Sequence, residues 1–101
     1  MVARYGGDEF GILLAGADET AITVITQRIL ERLREHPLDL GESGCLTLSV
    51  SLGGATYPTD HREMVGLLAL ADDALYAAKS KGGNQVQTAS EITIHHSKEL
   101  E

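Results

Sequence analysis

Apolar and polar positions along the chain follow two periods. From Leu46 to Leu52 they alternate strictly: Leu46, Leu48, Val50 and Leu52 are apolar, and Thr47, Ser49 and Ser51 carry hydroxyls. A period of two predicts a strand with one face on a core. Gly53-Gly54 then predicts a bend or a close approach of two backbones. A helical period occurs twice. Ile22, Ile25, Ile29 and Leu33 recur at spacings of three and four, so they share one helix face. Asp18 is suited to cap that helix, and Pro37 stops it. A second helix is predicted from Asp60 to Ser80, with a buried stripe of Met64, Leu67, Leu68, Ala71, Leu75 and Ala78. Gly82-Gly83 supplies its C-terminal cap.

The remaining segments are shorter. Met1 to Tyr5 and Glu9 to Ala15 read as two strands of a hairpin around Gly6-Gly7. Both faces of the second run are apolar, which suits a strand covered on both sides. Residues 38–44 are polar and contain glycine, as in a loop or small hairpin. Asn84 to Gln87 reads as a short final strand, and the polar residues from Thr88 as a linker or disordered tail. The order is β-β-α-β-α-β. It predicts an α+β fold, an α/β sandwich with helices on a mostly antiparallel sheet, over residues 1–87, with a polar tail over 88–101.

Composition narrows the function classes. The 101 residues carry 8 Lys and Arg against 15 Asp and Glu, a net charge of -7. Clustered positive charge is absent, which argues against nucleic-acid and anionic-membrane binding. No apolar run approaches the length of a membrane span, and no leader pattern opens the chain. The single Cys45 excludes an internal disulfide and reads as a buried, reduced thiol of a cytoplasmic protein.

The most informative stretch is Arg4-Tyr5-Gly6-Gly7-Asp8-Glu9-Phe10. Two glycines at a hairpin tip let a ligand approach the backbone closely. The two acids that follow are hard oxygen ligands of the kind that Mg²⁺ on a nucleotide triphosphate takes. Turn chemistry alone also accounts for them, as solvated acids beside a Gly-Gly bend. These residues resemble the signature of the GGDEF family, the diguanylate cyclases, which condense two GTP molecules into cyclic di-GMP. Leu46 to Gly53 resembles the family's Thr-Val-Ser-Ile-Gly strand. Ala71-Asp72-Asp73-Ala74-Leu75-Tyr76-Ala77-Ala78-Lys79, followed by Gly82 and Asn84, resembles its late helix. Three blocks in the family's order cover residues 1–86.

The resemblance implies a role for each matching residue. Gly6 and Gly7 match the glycines along which GTP lies. Asp8 and Glu9 match the acids tied to Mg²⁺ binding and to activation of the ribose 3′-hydroxyl. The sequence leaves open which of them is ligand and which is base. Lys79 matches the lysine that contacts the triphosphate, although a lysine near a helix end is commonly just solvated. The family reaction is nucleotidyl transfer with loss of pyrophosphate, in bacterial second-messenger signalling.

Departures from the pattern shape the expectation. The family's Arg after the late glycine is Gly83 here, and nearby Lys81 lacks a bidentate fork. The resemblance further implies a truncated fold. It would be without the strand and helices that precede the hairpin in the family, and without the metal-binding Asp and guanine-reading Asn and Asp they carry. The inhibitory Arg-x-x-Asp motif occurs nowhere in the chain. Two readings follow: a diguanylate cyclase fragment inactive on its own, or a non-catalytic GGDEF-like module for regulation or protein interaction. Open strand edges predict a homodimer or exchanged elements. A purely structural domain with a coincidental Gly-Gly-Asp-Glu turn is the third reading. His95-His96 reads as incidental, His36 and His61 as helix-end caps or solvent-facing residues, Asp72 as structural and Tyr76 as core.

Overall fold

The computed structural model describes residues 2–4, by their backbone, and residues 9–91. Strands β1 (Val2–Arg4) and β2 (Phe10–Ile12) form an antiparallel hairpin with Arg4 opposite Phe10 and Val2 opposite Ile12. Helix α1 spans Glu19–Glu35. A small antiparallel hairpin follows, β3 (Leu38–Asp39) and β4 (Cys45–Leu46), joined through a 3₁₀ turn at Gly41–Ser43. Strand β5 (Leu52–Gly54), helix α2 (Met64–Ser80) and strand β6 (Val86–Thr88) complete the described elements, and residues 89–91 begin a further helical turn.

Local chemistry accounts for the helix ends. The Asp18 carboxylate accepts from the Ala21 amide at 2.8 Å, satisfying one of the free amides of the first turn of α1. At the other end, His36 Nδ1 lies 3.0 Å from the Arg32 carbonyl. His61 Nδ1 accepts from the Glu63 amide at 3.0 Å, just ahead of α2, and its ring lies over Gly66. Helix α2 ends in two left-handed glycines, Gly82 and Gly83, with φ of 111° and 73°. Their amides close onto the carbonyls of Lys79 and Ala78 at 3.1 and 3.0 Å.

The core lies where α2 covers β5 and β6 and where α1 meets β6. Its buried residues are small: Ala74, Ala78 and Ala89, with Leu30 from α1 and the hydroxyl residues Thr56 and Thr88. Small side chains let the helix sit low on the strands. Gly53 lies so close to α2 that a Cβ would collide with the Ala71 carbonyl and the Leu75 amide. The close approach expected at Gly53-Gly54 is therefore present, and only a residue without a side chain fits it.

Several expectations change. The described strands do not form the single, mostly antiparallel sheet that was expected but three separate two-stranded ladders: β1–β2 and β3–β4 are antiparallel, whereas β5 and β6 run parallel, joined over α2. Parallel partners need such a crossover. The strand predicted from Leu46 to Leu52 is interrupted, because residues 47–51 have no ladder partner among the described residues. The second run of the first hairpin is not covered on both sides, since Phe10, Ile12 and Leu13 are 68%, 49% and 52% exposed. Helix α2 starts at Met64, after a turn over residues 57–60. Met64 and Leu68 of its predicted stripe are exposed, and the buried positions are Ala74 and Ala78. Cys45 is an exposed thiol. Tyr76 is 75% exposed and is not part of the core.

Ordered structure also continues beyond residue 87. Thr88 and Ala89 are buried, and the Glu19 carboxylate accepts from the hydroxyls of Thr88 and Ser90. His95 and His96 lie outside the described residues.

Candidate functional site

Two elements carry the candidate site. Glu9 immediately precedes β2, and the ladder from Arg4–Phe10 to Val2–Ile12 holds that strand in register. Lys79 sits in the last turn of α2, beside Ala78, which is fully buried. Ala74 and Ala78 turn one helix face to the strands, so Lys79 emerges at its margin. The close seat of α2 on Gly53 fixes where that margin lies.

The two elements meet through charge. Glu9 Oε1 lies 3.7 Å from Lys79 Nζ, with 35% and 52% of the side chains exposed. An exposed pair of this kind contributes at most about 1 kcal/mol to stability. It stays accessible from solvent, and each partner is free to exchange its counter-charge for one on a ligand. A carboxylate and an ammonium side by side offer a hard oxygen for a cation and a point charge for phosphate.

Of the residues singled out by the sequence, the structure brings Glu9 and Lys79 together. Gly6, Gly7 and Asp8 lie outside the described residues. Among the described residues, no group of three or more His, Cys, Asp or Glu side chains is placed to hold a metal ion. Lys81 is engaged elsewhere, donating to Gln87 Oε1 at 3.3 Å. Gly83 packs against the β5 approach, where a Cβ would come 3.1 Å from Ser51 Oγ.

One polar cluster escapes the sequence reading. Glu19, Thr88 and Ser90 tie the start of α1 to the end of β6, with Thr88 Oγ1 3.1 Å from Glu19 Oε1 and 3.3 Å from Ser90 Oγ. The available signal was Thr88-Ala89-Ser90-Glu91, a hydroxyl residue and a Glu at capping-box spacing, which announces a helix start rather than a loose tail.

Comparison with known proteins places the chain in a family. The family model for the diguanylate cyclase GGDEF domain matches residues 1–85. The chain belongs to the GGDEF family. It is 38% identical over 86 residues to the diguanylate cyclase DosC of Escherichia coli (strain K12), covering 85% of this chain and 18% of that protein. It is 30% identical over 102 residues to the cyclic di-GMP phosphodiesterase NbdA of Pseudomonas aeruginosa, covering 100% of this chain and 13% of that protein. The chain thus spans less than a fifth of the length of these curated relatives. Among solved structures, an EAL/GGDEF domain protein from M. capsulatus superposes with a TM-score of 0.74 at 44% identity, over 87% of this chain and 56% of that one. The α+β architecture is that of a GGDEF domain. No described helix is long and apolar enough to cross a membrane.

Proposed function

We infer that this chain supplies part of the guanine-nucleotide site of a diguanylate cyclase acting in bacterial second-messenger signalling in the cytoplasm. The observation that carries the reading is the contact between Glu9 and Lys79, two motif residues from distant parts of the sequence, 3.7 Å apart. In this reading Lys79 meets the triphosphate, and the glycines Gly6 and Gly7 let the nucleotide lie against the hairpin.

The donor chemistry at Glu9 fits Mg²⁺: a partly exposed carboxylate oxygen, with Asp8 adjacent in sequence. Asp8 and Glu9 would hold the ion, which with GTP bound would neutralise phosphate charge and lower the pKa of the ribose 3′-hydroxyl. Asp8 and Glu9 divide the tasks of holding the cation and accepting the hydroxyl proton. The hydroxyl oxygen bonds to the α-phosphorus of a second GTP, and pyrophosphate leaves. Repeating the step in the other direction closes cyclic di-GMP. Positioning two loaded domains face to face is part of such a reaction, so a homodimer is its working form.

The isolated 101-residue chain is read as catalytically silent. Gly83 stands where the family carries a phosphate-holding Arg, and the ammonium of Lys81 is turned to Gln87. The same observation supports the second reading, a non-catalytic GGDEF-like module that serves regulation or protein interaction.

Two measurements test this. Incubation with GTP and Mg²⁺, followed by chromatography, is expected to yield no cyclic di-GMP from this chain alone, and product would reject the silent reading. Calorimetric titration with GTP and Mg²⁺ is expected to show binding that weakens in both Lys79→Met and Glu9→Gln. Unchanged binding in both variants removes the pair from the nucleotide site.

A further inference from the structure

Ser51 lies directly ahead of β5 and is half-buried. Side chains two apart along an extended chain share a face. Ser51 therefore points to the same side as Gly53, which lies against Ala71 and Leu75 of α2. Helix α2 runs back antiparallel to β5, because the strand that follows it, β6, is parallel to β5. Two strand residues advance about 6.6 Å and a helix rises about 1.5 Å per residue, so Ser51 comes about four residues beyond Leu75, under the turn that carries Lys79.

The loop that leaves this turn meets the same hydroxyl. A Cβ at Gly83 would stand 3.1 Å from Ser51 Oγ, and no other non-neighbouring atom of the described residues comes within 4 Å of that point. The Gly83 amide donates to the Ala78 carbonyl at 3.0 Å, which holds the loop against the helix end. Ser51 Oγ has no hydrogen-bond partner among the described residues, and it is not sealed from solvent. Polar groups at such depth commonly find a partner. We propose that the Ser51 hydroxyl donates a hydrogen bond to a phosphate oxygen of the bound nucleotide, reached over the bare backbone of Gly83 beside Lys79. The inference rests on the reading of Lys79 as the residue that meets the triphosphate, and adds a second contact to it. A hydroxyl turns to suit its acceptor, and an O–H···O⁻ bond is about twice as strong as one between neutral groups. A side chain at residue 83 would cover this hydroxyl; glycine leaves it open. The contact orients the phosphate without neutralising its charge, which remains the task of Lys79 and the cation.

The test is calorimetric titration of the whole chain with GTP and Mg²⁺, and separately with inorganic triphosphate and Mg²⁺. Ser51→Ala is expected to weaken both ligands about tenfold, the lower end for a hydrogen bond to a charged group. Thr and Val have nearly the same shape and differ in the hydroxyl. Ser51→Thr is therefore expected to bind within about threefold of the native chain, and Ser51→Val as weakly as Ser51→Ala. Circular dichroism on each variant establishes that the fold is kept. Equal affinities for the Thr and Val variants assign the position to shape and overturn the proposal. Unchanged affinity in Ser51→Ala, with binding weakened in Lys79→Met, overturns it and leaves the nucleotide reading standing. Unchanged affinity in both Lys79→Met and Glu9→Gln instead removes the reading on which it rests.

Discussion

Gly53 lies directly beneath Leu75, with the helix backbone so near that the strand residue has room for a hydrogen but not for a methyl group. This contact sets the distance between β5 and α2 and thereby the place where Lys79 leaves the helix. Gly53→Ala forces the two backbones apart. We expect a loss of at least about 3 kcal/mol of stability, the upper end of overpacking penalties, because the obstacle is main chain and cannot rotate away. Thermal unfolding followed by circular dichroism measures it. A melting temperature unchanged from the native chain removes Gly53 from this role.

The N-cap of α1 gives a milder prediction. Asp18→Ala removes the acceptor for the Ala21 amide and an acid at the positive end of the helix dipole. The expected cost is about 1 kcal/mol, or a fall in melting temperature of about 4–8 °C for a domain of this size. Asp18→Asn keeps the acceptor and is expected to recover most of the loss.

Glu19 joins the first turn of α1 to the segment after β6 through the hydroxyls of Thr88 and Ser90. Glu19→Ala leaves the hydroxyl of Thr88, a buried residue, without its carboxylate acceptor. The expected destabilisation is about 1–3 kcal/mol. Hydrogen exchange locates the effect: amides of residues 88–91 are expected to exchange faster, with those of the middle of α2 unchanged. Equal acceleration everywhere would mean that the link is not local.

Tyr76 supplies a contrast. It is 75% exposed on α2, one turn before Lys79. Tyr76→Ser is expected to leave unfolding within about 0.5 kcal/mol of the native chain. A loss of several kcal/mol would place its ring in a contact that the exposed position does not provide.

Much of the architecture was legible because local chemistry agrees with it. Asp18, Pro37 and the Gly82-Gly83 pair mark helix ends by rules that need no tertiary context. The spacing of Ile22, Ile25, Ile29 and Leu33 fixed the inward face of α1 in the same way, and all four are partly buried around Leu30. What failed was inference from alternation to pairing. Leu46 to Leu52 has the pattern of a strand, but a strand exists only where another backbone meets its hydrogen bonds, and one chain's side-chain pattern does not reveal that neighbour. Burial failed for a related reason. Tyr76, Met64 and Leu68 are apolar in the sequence, yet α2 is seated by alanines against glycine, so large side chains on its flanks stay outside. At the candidate site, the motif residues were readable one by one. Their meeting across the fold was not, since nothing local to Glu9 or Lys79 encodes the other.

The left-handed turn at Gly83 limits how the site can be changed. Its φ of 73° disfavours any branched or bulky residue, and a side chain there would start 3.1 Å from Ser51 Oγ. Grafting a guanidinium at this position therefore strains the loop and requires the Ser51 hydroxyl to move aside. A designer seeking tighter phosphate capture would do better to start from Lys81, freeing it by Gln87→Ala, than to write an arginine into a left-handed bend where its Cβ would press on Ser51 Oγ.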